Sequence, residues 1–263
     1  MRVQSIWLVV LSFWALNARA GNINLGAAGS FAVLAGSAVT NTGPTYVYGN
    51  LGLTPGSSVT GFPPGIVVPP GIEDVDNGSA IVAENALTTA YNSAMGQPCT
   101  TNLTGQDLGG MTLTPGVYCF NSSAQLTGTL TLNAEGDPNA QFVFQMGSTL
   151  TTASSSMVDF INTSGGLPDP NLFWQVGSSA TLGTGTDFSG NILAETSITL
   201  TTGASIACGS ALAQNGAVTM DDNVVSIYGC ESSGGAAPEP QSAALLGMGL
   251  LLTSIVYRRR SRK

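Results

Sequence analysis

The sequence predicts an all-β chain wound as a parallel β-solenoid, with one long α-helix along its side. Three observations carry that expectation. Leu126, Leu130 and Leu132 alternate with Thr127, Thr129 and Thr131, so one strand face is apolar and the other hydroxylated; the alternation returns around Leu150, Leu182, Ile198, Leu200, Val218 and Met220. With Leu113, Leu132, Leu150, Leu182, Leu200 and Val218 as markers, the spacings are 19, 18, 32, 18 and 18 residues, and a recurrence in this range is what stacked coils produce. Finally, Ala80, Ala83, Leu87, Ala90 and Ala94 recur at steps of 3 and 4, which is helical spacing.

The elements follow in order. Residues 1–20 open with Arg2, run apolar from Ile6 to Leu16 and close on Ala18-Arg19-Ala20, the plan of a cleaved secretory signal peptide. The apolar run is shorter than the roughly 20 residues that span a bilayer. The mature body extends over 21–230. Its helix is expected at about 75–95, with Asp76, Asn77 and Ser79 as N-cap candidates and Gly96 and Pro98 as the stop. Strands at Gln141–Gln145, Leu172–Val176, Asn191–Ala194 and Ala211–Ala213 precede the threonine strands, giving two or three short strands per coil. The 32-residue step leaves room for an insertion around Phe160–Asn171, where Gly165-Gly166 and Pro168-Asp169-Pro170 mark a loop. Residues 231–237 form a small-residue linker. From Pro238-Glu239-Pro240 the chain enters an apolar segment, 243–257, and ends on Arg258-Arg259-Arg260-Ser261-Arg262-Lys263. That basic cluster would hold the end of a marginal membrane span in the cytoplasm. The tail, 238–263, resembles the bacterial PEP-CTERM sorting signal. The resemblance implies an exosortase as partner, transient membrane anchoring through the tail, its removal, and an exported or surface-attached product.

Charge excludes several functions. All seven Lys and Arg lie at the ends, so between Ala20 and Arg258 there are 15 acids and no base, and there is no His anywhere. Neutralising phosphates requires Lys or Arg, so nucleic-acid binding is not expected. Triads, Cys-His pairs and His-based metal sites cannot be built. The close acid pairs Asp74/Asp76, Glu135/Asp137 and Asp221/Asp222 read as turn and cap residues, against a calcium site or a glycosidase dyad, because no calcium-loop pattern surrounds them. No enzyme, cofactor or metal is expected. Cys99, Cys119, Cys208 and Cys230 are an even set within the exported part, which suggests two disulfides. Sequence neighbours would pair Cys99 with Cys119 and Cys208 with Cys230, although four cysteines allow three connectivities. A four-thiolate zinc site is the competitor, and no C-x-x-C pair supports it.

LGAAGSFAVLAGSAVTNTGPT from Leu25, GNLGLTPGSSVTGFPPG from Gly49, LTPGVYCF from Leu113, FWQVGSSATLGTGTDFSGNILA from Phe173 and ALAQNGAVTM from Ala211 resemble the ice-binding-like family of secreted microbial antifreeze proteins. The likeness covers nearly all of residues 23–230. It implies an irregular right-handed solenoid of triangular cross-section, with the first segment, Ile23–Pro70, joining the stack. It also implies adsorption to ice through one flat face. Threonine suits such a face: it carries a hydroxyl and a methyl on a stiff side chain, coils repeat every ~4.8 Å, and alternate residues on a strand every ~6.6 Å. The candidates are Thr127, Thr129, Thr131, Thr149, Thr151, Thr181, Thr199, Thr201 and Thr219, whose strand neighbours are apolar. They are expected to lie on more than one face, so that only a subset acts. The alternative is a structural or adhesive envelope or exopolysaccharide-associated surface protein on the same scaffold. A regular threonine face favours the first reading; one broken by Asp or bulky side chains favours the second.

Overall fold

The computed structural model describes residues 23–163 and 171–228. The expected leader, linker and sorting tail, Cys230 and the middle of the insertion lie outside the described residues. The chain divides into a unit Met1–Cys230 and a unit Glu231–Lys263, and only the first is described below.

The strands are short and pair in parallel, forming sheets of nine, seven and eight strands, called A, B and C here. Each coil gives one strand to each sheet in that order: Leu172–Val176, Ala180–Leu182 and Asp187–Ser189 make one coil, and Asn191–Ala194, Ile198–Leu200 and Ser205–Ala207 the next. The three sheets are the sides of a triangular β-solenoid. Alternation sets the sidedness, since on sheet B Leu150, Ala180, Ile198 and Val218 are buried while the residues that follow them face outward.

Stacking order is not chain order. From one end, sheet A runs through Glu73–Val75, Asn50–Leu53 and Phe31–Ala35 to Ala211–Ala213. It then continues back up the chain to Gly116–Phe120 and Thr101–Asn102. The first segment thus docks on the last coil, with Val33 opposite Ala211, Val39 opposite Val218 and Tyr46 opposite Val224. Helix α1 (Gly78–Met95) then carries the chain back along sheet A toward the opposite end.

The coils are less uniform than the leucine spacings indicate. Ala180 pairs with Ile198, 18 residues on, but Ile198 pairs with Val218, 20 on, and Ala124 with Leu150, 26 on. The step from Leu132 to Leu150 is not a coil at all, because Leu132 lies on sheet C and Leu150 on sheet B. A solenoid requires each strand to reach its face, and the turns between strands absorb the difference. The widest step, from Leu150 to Ala180, contains the expected insertion.

Inside the triangle the rings of Tyr118, Phe144 and Trp174 stack along sheet A with centroids 5.3 and 4.1 Å apart, and Phe188 closes on Trp174 at 4.8 Å. Corners bury backbone that no sheet satisfies, so polar side chains do the work. Asn223 Nδ2 donates to Thr201 O and Ala204 O at 2.9 and 2.8 Å, and Ser156 Oγ donates to Leu126 O at 3.0 Å. The corner leading into sheet B needs glycine: a Cβ on Gly36 would lie 2.3 Å from Gln214 O, and one on Gly56 2.1 Å from Ser37 O.

Helix α1 starts at Gly78 and not near 75, because Glu73–Val75 is a strand paired with Leu51, Gly52 and Leu53. Asn77 is the cap: its Oδ1 accepts from Ala80 N at 3.0 Å while its Nδ2 donates to Asp74 Oδ1 at 2.7 Å. The spaced alanines lie against sheet A, where Ala83, Leu87, Ala90 and Ala94 pack with Leu34, Leu193 and Leu212. At the far end Gln145 Nε2 donates to Ala94 O at 2.7 Å and Gln97 O at 2.8 Å, satisfying carbonyls in the last turn and just past it. The Cys99–Cys119 disulfide fastens the chain just beyond to the same sheet. Cys208 is also disulfide-bonded.

Candidate functional site

Sheet A is covered by the helix, so sheets B and C remain as exposed faces. On sheet B the register places one outward residue of each strand in a single row: Gln125, Thr151, Thr181, Thr199, Thr219, Thr40 and Thr60. All seven are exposed or half-buried. At the usual strand separation the row is about 29 Å long. Two residues earlier on each strand stands a second row of small side chains, including Ser123, Thr149, Ser179, Ser197, Ala217 and Ser58.

Neither row carries a charge. Acids stand at the margins: Asp107 is paired with Gln125 and so continues the row at its end, and Asp221, in register with Thr42, accepts from Thr202 Oγ1 at 2.5 Å. Some hydroxyls are already ordered by their neighbours: Thr40 Oγ1 donates to Thr219 Oγ1 at 3.2 Å, and Thr149 Oγ1 to Ser123 Oγ at 2.8 Å. The β-branched side chains have little χ1 freedom. Beneath them Leu150, Leu182, Ile198, Leu200 and Val218 are buried and hold the strands level.

The nine threonines expected from the sequence therefore divide. Thr151, Thr181, Thr199 and Thr219 stand in the central row, and Thr149 in the flanking one. Thr129 and Thr131 belong to sheet C, and Thr127 to the turn between sheets. Thr201 lies just past its strand and donates to Leu182 O at 2.8 Å, so its hydroxyl hydrogen is committed to backbone. Thr40 and Thr60 were absent from the expected set. A signal for them exists in Ala38-Val39-Thr40 and Ser58-Val59-Thr60, which repeat the small–apolar–threonine order 20 residues apart.

Sheet C differs. Its row through Thr129 reads Thr129, Met157, Asp187, Ser205, Val224, Tyr46 and Ile66, and the row through Thr131 meets Asp159. Bulky and acidic side chains interrupt it, and no threonine row crosses it.

Each acid pair has one member in a turn, while Asp74 and Asp221 lie on the strands Glu73–Val75 and Val218–Asp221. Asp76, Glu135 and Asp222 have φ of 45°, 54° and 55°, and Asp74 holds the capping Asn77. Among the described residues no three acidic or cysteine side chains gather to hold a metal ion. Under the helix, burial raises the Tyr91 phenol above its ordinary value, against the hydrogen bond it accepts from Gln175 Nε2 at 2.9 Å. Glu84 on the helix is pushed up to about 8 by burial, and its Oε1 is buried without a hydrogen-bond partner.

Known proteins share this architecture. The family described as Ice-binding-like matches residues 33–226. An ice-binding protein of Nostoc sp. (strain HG1) is 55% identical over 260 residues, covering 97% of this chain and 94% of its own. The crystal structure of an ice binding protein from an Antarctic biological consortium superposes with a TM-score of 0.74 at 45% identity, over 79% of this chain and 92% of that one. That of the Antarctic ascomycete Antarctomyces psychrotrophicus gives 0.74 at 38% identity, over 80% and 100%.

Proposed function

The chain belongs to the ice-binding-like family, and on that premise we propose that it is an exported protein that adsorbs to ice through the outward side of sheet B. The observation that carries this reading is the in-register row from Gln125 to Thr60, six threonines and a glutamine with no charge among them. Each hydroxyl offers a hydrogen bond to surface water, and each methyl limits where that water sits. Rows ~4.8 Å apart in one direction and ~6.6 Å in the other impose a lattice-like order on the layer between protein and crystal. A charged side chain would orient water around itself and break that order. Once adsorbed, the protein pins the crystal front, restraining growth and recrystallisation. The action is adsorption, not catalysis.

The disulfide Cys99–Cys119 is consistent with an oxidising compartment. Residues 1–20 supply the export signal in this reading. The tail, with Pro238-Glu239-Pro240, the segment 243–257 and the basic end, supplies an exosortase substrate that anchors the chain transiently before removal. Mass spectrometry of the native protein should find a start near Gly21 and loss of everything past the region of Pro238; Arg258–Lys263 still attached counts against exosortase cleavage.

The face is tested by two substitutions. Thr181→Tyr stands at mid-row on sheet B and should abolish ice adsorption and recrystallisation inhibition. Thr131→Tyr on sheet C should leave both intact, each variant melting as the unmodified protein does. The reverse pattern would move the working face to sheet C, and an unmodified chain that does not adsorb would end the ice reading.

A further inference from the structure

Where the first segment docks on the last coil, sheet C carries a group of exposed apolar and aromatic side chains. Ile66, Tyr46 and Val224 stand in register on three adjacent strands, 46%, 40% and 42% exposed. Tyr48, 38% exposed, lies on the same side two residues from Tyr46, opposite Ser226. Tyr228 follows Ser226 by two residues and is 52% exposed. Their combined exposed area is on the order of 400–500 Å², within the size range where a surface patch has a use. Along the Tyr46 row the sheet continues with Ser205 and Asp187, whose hydroxyl and carboxylate are joined at 3.2 Å. The Tyr48 row continues with Ser226 and Ala207, and with Ser189 beyond.

We propose that this end of sheet C binds a neutral, linear polysaccharide, on a face separate from the threonine row. The patch is well short of the roughly 800 Å² per partner that a stable protein dimer buries. With no base between Ala20 and Arg258, and with Asp159 and Asp187 as the charges on this face, anionic polymers and anionic lipid headgroups are repelled. A neutral sugar fits both halves of the surface. Its C–H face stacks on tyrosine rings, and its hydroxyls bond to the serine hydroxyls and the Asp187 carboxylate alongside. Parallel rows running along the solenoid axis suit an extended polymer better than a compact ligand. Trp174, the ring a sugar platform would most favour, is wholly buried in the core, so the tyrosines supply the stacking surface.

The test is retention of the full chain on microcrystalline cellulose, chitin and curdlan, with alginate gel as the anionic comparison. The unmodified chain should be retained on at least one neutral glycan and pass through alginate. Tyr46→Thr with Tyr48→Thr replaces one good strand former by another at both positions, and should lower retention at least about tenfold while the melting temperature stays in place. Tyr46→Trp with Tyr48→Trp should keep or raise it. Ice adsorption is read on the same samples: unchanged adsorption in the threonine double variant is expected, and an unmodified chain that fails on ice but is held by a glycan ends the ice reading alone. No retention on all three glycans overturns the proposal, as does equal retention of the threonine double variant or equal retention on alginate. A concentration-dependent dimer abolished by the same substitutions also overturns it, by making the patch a contact between copies.

Discussion

At Leu150 the side chain is wholly buried, while Thr151 beside it stands in water on the opposite side of the strand. Leu150→Ala should cost about 2–5 kcal/mol, the lost transfer energy plus the cavity left behind, read as a lower denaturation midpoint. Thr151→Tyr empties nothing; its stability should stay within about 0.5 kcal/mol of the original while ice adsorption falls. Glu84 poses a different problem, because burial raises its carboxyl from 4.5 to about 8. The native state therefore holds this proton more tightly than the unfolded chain. The associated stability is fully present below about pH 4.5 and is lost as pH rises through about 8. After allowance for its partial exposure, the loss by pH 9 is on the order of 1–3 kcal/mol. Melting followed at pH 5 and pH 9 should show it, and Glu84→Gln should flatten the difference; an equal fall in the variant would place the pH dependence elsewhere.

Among the elements, helix α1 depends on a few attachments. Gln145 satisfies carbonyls at its end, Gln175 holds Tyr91, and Cys99–Cys119 ties down the chain that leaves it. Reducing that disulfide, or replacing both cysteines by serine, should cost about 3 kcal/mol for a loop of this size, seen as a lower melting temperature with reductant. If melting is indifferent to reductant, the link does not restrain the unfolded chain. The helix was legible in the sequence because Ala80, Ala83, Leu87, Ala90 and Ala94 all face the body, so one local pattern records one contact surface. The strands Leu172–Val176, Asn191–Ala194 and Ala211–Ala213 were legible because each is an apolar run between turn residues. Which face a threonine occupies was not. Thr131, between Leu130 and Leu132, and Thr199, between Ile198 and Leu200, have the same kind of neighbours, and only the lengths of the intervening turns place one on sheet C and the other on sheet B. Thr40 and Thr60 escaped because their row is completed by residues more than 150 positions away, a pairing that no local period encodes.

For the whole molecule, thirteen acids without a compensating base inside the body mean that charge opposes compaction. Added sodium chloride screens that repulsion and should raise the melting temperature at neutral pH; a melting temperature indifferent to salt would show that the acids are too far apart to matter. The docking of the first segment on the last coil also fixes when the surface exists. Thr40 and Thr60 are synthesised early, but the strand that seats them, Val218–Asp221, comes near the end of the body. A growing chain, or one still threading through a membrane, holds both ends of the threonine row without the strand between them. On the proposed reading the row is therefore completed by one late closure, and no partial product displays it at full length.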